Sequence, residues 1–127
     1  MRPVHQGAFD ALCGVYAVIN ALNPAGVSGP RTTLHRDLFR AMTTAIPDAA
    51  LKEVLHHGLQ TDQLITIARV GFRWLRSTHG IDLRISRACH EHPTRFEFLS
   101  RVATLAGKPD CAVIICVAKP GLSHWLT

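Results

Sequence analysis

The run 111–118, "CAVIICVA", constrains the chain more than any other stretch. It falls well short of the about 18–20 apolar residues of a membrane span, and its length suits a strand buried at the centre of a sheet. No other apolar run is longer, so no transmembrane segment is expected and no membrane partner. "KPGLS" then reads as a turn, and "HWLT" as the start of a returning strand.

Ahead of that strand the pattern is mostly helical. A helix is expected from near Asp10, its N-cap, to about Leu22, with Leu12, Tyr16, Ile19 and Leu22 at three- and four-residue steps. "NPAG" ends it. Thr32 or Thr33 caps a second helix, with Leu34, Leu38, Phe39 and Met42 on one face. Pro47 and Asp48 open a third, which stops at Gly58. Thr61 and Asp62 cap a fourth, running through "QLITIARV" to Gly71. Alternation in "GIDLRIS" (Ile81, Leu83, Ile85) predicts a half-exposed strand, with "FRWLR" as its partner across "STHG". Pro93 and Thr94 start a fifth helix, ending at Ala106 and Gly107. Helices first and sheet last predict an α+β fold, one domain over residues 1–127, with an N-terminal helical lobe packed on a C-terminal antiparallel sheet.

Charge narrows the function classes. The net charge is +5, from 14 Lys and Arg against 9 Asp and Glu, and most of the basic residues are arginines scattered along the chain. No basic arm, zinc-finger spacing or RNA-binding aromatic motif is visible, so nucleic acid is not an expected partner. The start "MRPVHQGAFD" has no charged-then-apolar signal pattern, and a cytoplasmic location is expected, with signal-independent export left open. Of the four cysteines, Cys111 and Cys116 fall in the expected strand, point to opposite faces and do not suit a mutual bridge. That favours a reduced compartment. "CHEH" at 89–92 fits no common zinc spacing, and no metal or cofactor is expected. His56 and His57, in the last turn of a helix, complement its dipole.

One constellation carries chemistry. Cys13 lies in the first turn of the first expected helix, where unpaired N–H groups and the helix dipole favour a thiolate. Gly14 removes bulk where a substrate carbonyl must approach. Gln6 offers a neutral donor that, with the Cys13 N–H, forms an oxyanion hole. His124 opens the returning strand, a rigid place from which an imidazole serves as base. Taken singly, Cys13 is more simply a buried helix cysteine, His124 a strand-edge histidine and Gln6 a solvated loop residue; the combination is what favours catalysis. Trp125 is expected to pack beside His124, and Phe72 and Trp74 to lie in the core.

The pattern Gln6, Cys13-Gly14-Val15-Tyr16-Ala17 and, about a hundred residues later, an apolar strand, a turn and His124-Trp125 resembles the papain-like cysteine peptidases. It is similar above all to compact bacterial members such as the bacteriocin leader-processing peptidase domains. The resemblance covers nearly the whole chain in layout and two short motifs in sequence. It implies a papain-like fold and a thiol hydrolase acting on a peptide or protein, with Cys13 as nucleophile, His124 as general base and then acid, and Gln6 at the oxyanion. The glutamine stands seven residues before the cysteine, where the family commonly has six. The family's orienting Asn or Asp lies on a strand after the histidine, whereas the sequence stops at Thr127: either it is cut short there, or another residue substitutes, with Asp62, Asn20 and Asp110 as unassigned candidates, or the orientation is lost. Acyl transfer, transglutamination, glutamine deamidation and non-catalytic peptide binding fit the same motifs. The short return strand leaves an open edge on its partner, from which self-association into a homo-oligomer is expected.

Overall fold

In a computed structural model the chain is described over residues 12–27, 32–89, 93–119 and 122–126, with Thr32, 116–119 and 122–126 described as backbone. Among the described residues are five helices: α1 Cys13–Ala21, α2 Thr32–Thr44, α3 Asp48–His57, α4 Thr61–His79 and α5 Arg95–Ala106. Strands β1 Ile115–Lys119 and β2 Leu122–Leu126 follow.

The core is built where α1, α2 and α4 pack on one another. Helix α1 is apolar nearly all round, and Val15, Val18, Ile19 and Leu22 are sealed from solvent. Helix α2 turns Leu34, Leu38 and Met42 inward at three- and four-residue steps, as its sequence predicts. Leu64, Ile67, Ala68 and Leu75 answer from α4, and α3 adds Val54. Burying side chains of this size contributes about 1.5–3 kcal/mol each relative to exposure.

Helix ends follow local chemistry. Asp48 opens α3 after Pro47, and Gly58 closes it at φ +87. At α5 the Thr94 hydroxyl accepts from the Glu97 N–H (3.1 Å) while the Glu97 carboxylate accepts from the Thr94 N–H (2.8 Å), a reciprocal cap. The α4 cap is Gln60, with Gln63 returning a bond at 2.7 Å, one residue before the expected Thr61. Asp10, the cap expected for α1, lies outside the described residues, and the helix begins at Cys13.

The expected α+β papain-like architecture, a helical lobe on an antiparallel sheet, is overturned. The described core is helical, and among the described residues the ladder is one antiparallel pair, Ile115 opposite Leu126 through Lys119 opposite Leu122. A pair of strands is too small to form a layer of its own. Two causes are visible. Helix α4 does not stop at Gly71 but continues to His79, so "FRWLR" is helix and not a strand. Gly71 lies inside that helix, and its missing Cβ lets α2 approach: a methyl there would stand 2.7 Å from Leu38 Cδ1 and 2.8 Å from Met42 Cγ. Residues 81–87 then have no ladder partner among the described residues, although Ile81, Leu83 and Ile85 are half-buried against the core in the expected alternation. The apolar run also pairs only in part. Among the described residues the ladder takes in 115–119, and Cys111 to Ile114 precede it, half-buried.

The hairpin is held against the helices from both ends. Strand β2 packs on α1. The turn before β1 meets the turn after α1, where Gly26 (φ +95) leaves room for Asp110, whose Oδ1 would lie 2.7 Å from any Cβ there.

Candidate functional site

Helix α1 starts at Cys13. Leu12 is the N-cap; its carbonyl accepts from the Val15 N–H (2.9 Å) and the Tyr16 N–H (3.2 Å), and its side chain supplies no cap. No acidic residue stands in the first turn. The positive end of the helix dipole therefore points at the turn that holds Cys13 and Gly14. A tilted contact between the Tyr16 and Phe39 rings, centroids 5.4 Å apart, braces this turn against α2.

Cys13 is 4% exposed and belongs to the core cluster with Leu12, Val15 and Val18. Cys13, Cys89 and Cys111 are thiols, not disulfides. His124 lies in the middle of β2, opposite Val117 on β1. Because β2 packs on α1, the elements bearing Cys13 and His124 are neighbours, although the residues are far apart in the chain. Gln6 lies outside the described residues, as does the side chain of Trp125.

The unassigned orienting candidates are dispersed. Asp62 is at the start of α4 and accepts from Arg87 Nη2 at 2.7 Å. Asp110 is at the Gly26 turn, with φ +53. Asn20 is on α1, half-buried. In the "CHEH" stretch, residues 90–92 are outside the described residues. No group of three or more metal-ligating side chains occurs among the described residues. His56 and His57 do close α3, at its C-terminus. Phe72 and Trp74 are half-buried at the margin of the core and not inside it; Trp74 meets His79 edge-on, centroids 5.2 Å apart.

A second feature is absent from the sequence reading. A groove of about 430 Å³ runs between α4 and residues 82–85, walled by Arg69, Arg73, Arg76 and Arg84 and floored by Phe72, Leu83 and Ile85. The signal was present as arginines at four- and three-residue steps on one helix face. Ending the helix at Gly71 hid it, because two of the three then fell on an expected strand.

No helix is long and apolar enough to cross a membrane among the described residues. Comparison with protein-family models, curated proteins and solved structures finds no match to this chain.

Proposed function

We propose that the chain is a thiol-dependent hydrolase of peptide or related amide bonds, with Cys13 as nucleophile and His124 as general base. The observation that supports this is the packing of β2, the strand of His124, on α1, the helix that opens at Cys13. In this mechanism His124 takes the Cys13 proton and the sulfur attacks the carbonyl carbon. The oxyanion is met by the Cys13 N–H and Gln6. His124 then returns the proton to the leaving amine, and water cleaves the thioester. The likeness of the two motifs to papain-like peptidases supports the chemistry and not the sheet architecture. Near-complete burial of Cys13 requires that the substrate displace its cover.

That burial favours a second reading, in which Cys13 is packing material in a non-catalytic peptide-binding module. One experiment separates the two. The whole chain is incubated with a peptide library, and products are read by mass spectrometry beside Cys13→Ala and His124→Ala. Hydrolysis that falls by more than about a thousandfold in both variants, with unchanged circular dichroism, supports the enzyme. Full turnover in Cys13→Ala, or labelling of Cys13 by iodoacetamide only on unfolding, favours the packing role. A mass gain of about one unit without chain cleavage would move the assignment to deamidation on the same pair.

A further inference from the structure

After α4 the chain turns at Gly80 (φ +66) and doubles back along the helix until Arg87 bonds Asp62 in its first turn. Between positions 62 and 80 the helix rises about 27 Å, whereas the seven residues from 80 to 87 reach at most about 25 Å. The Arg87 and Asp62 side chains bridge part of that distance, and residues 81–87, without helix, turn or bend, run extended along the rest. Their burial agrees: Ile81, Leu83 and Ile85 are half-buried, while Asp82, Arg84 and Ser86 are exposed. Among the described residues no backbone group of 82–86 makes a hydrogen bond. The segment has the shape of a strand and lacks a sheet.

The arginine groove lies beside it. Arg69, Arg73 and Arg76 line one side and Arg84 the other, with Asp82 as the one carboxylate in the lining. None of the four guanidinium groups forms an ion pair among the described residues. An apolar floor, a cationic rim and an unpaired extended backbone thus occur in one place.

We propose that this groove binds an extended acidic peptide segment, which adds as a strand to residues 82–86 and sets its carboxylates against the arginines. The backbone supplies donors and acceptors at strand spacing, the complement of another peptide backbone. Guanidinium groups take carboxylates in a planar, two-bonded geometry. Single-stranded nucleic acid would satisfy the arginines but not the amides, and its bases need aromatic platforms, of which the groove has only half-buried Phe72. This binding is separate from the hydrolase reading and stands or falls without it.

The test uses the whole chain and fluorescence anisotropy. The probe is a fluorescein-labelled peptide of about eight alternating Glu and Val residues, the length of one added strand. Comparators are its Lys-Val counterpart, the acidic peptide N-methylated at alternate amides, and an oligothymidylate. The acidic peptide should bind, weaken with salt, and lose about tenfold on N-methylation and again in Arg73→Ala/Arg76→Ala. Should that double variant fail to fold, Arg84→Glu on the extended segment should weaken the peptide by a similar factor. Equal binding of the Lys-Val peptide, indifference to N-methylation, or tighter binding of oligothymidylate each overturns the proposal, the last giving the groove to nucleic acid.

Discussion

Gly71 stands in the interior of a nineteen-residue helix, where glycine costs about 1 kcal/mol relative to alanine. Tertiary packing outweighs that cost: an added Cβ would press on Leu38 and Met42, both fully buried. Overpacking of this kind costs about 1–3 kcal/mol, so Gly71→Ala should lower the urea midpoint despite its better helix propensity. A more stable Gly71→Ala protein would show that α2 and α4 separate easily. His35, on α2, provides a residue-scale prediction in pH. Burial lowers its pKa from the usual 6.5, so the unfolded chain binds the proton more readily than the folded one. Its contribution is fully present above 6.5 and is lost as pH falls through the lower, folded value. The wild-type urea midpoint should therefore drop more steeply between 6.5 and that lower value than the midpoint of His35→Gln. Parallel curves would show that His35 is indifferent to folding.

Among the elements, α5 differs from the rest. It has no buried residue; Phe98, Val102 and Leu105 are half-buried, while Phe96 is 80% and Leu99 54% exposed. Without a sealed apolar face, a helix of twelve residues depends heavily on its ends. Removing the reciprocal cap with Thr94→Ala should cost that helix about 1 kcal/mol. Amide exchange across 95–106 should accelerate severalfold while the melting temperature of the domain moves little, because the core helices share no buried side chain with α5. A large fall in melting temperature would mean that α5 is part of the cooperative core. The α4 cap was misplaced by one residue: Gln60, whose N–H bonds Gln63 Oε1, stands at the position for which Thr61 and Asp62 were expected. Glutamine has the reach for this bond, but nothing in the local sequence selects it over threonine.

For the whole molecule, charge and chain direction act together. The retreat of residues 81–87 along α4 gathers arginines that are dispersed in sequence into one groove, and the same retreat removes the sheet that alternation predicts. The proposed thiol site has a similar origin. Cys13 was legible as the start of a helix and His124 as part of a strand after an apolar run. That their elements are neighbours depends on β2 packing on α1, and Cys13 itself is buried within the core cluster.

By itself the sequence determined where α2, α3 and α5 lie, how α3 and α5 begin and end, and which faces of the helices turn inward. Those outcomes rest on hydrogen bonds and periodicities that close within a few residues of chain. Only the tertiary structure decided that α4 runs through Gly71, that residues 81–87 stay unpaired, and that the helices and not a sheet make the core. Each depends on neighbours distant in sequence: α2 for the glycine, a partner strand absent among the described residues for the extended segment, and the mutual packing of α1, α2 and α4 for the core. A strand states locally that it is extended, but its partner is chosen by the rest of the molecule.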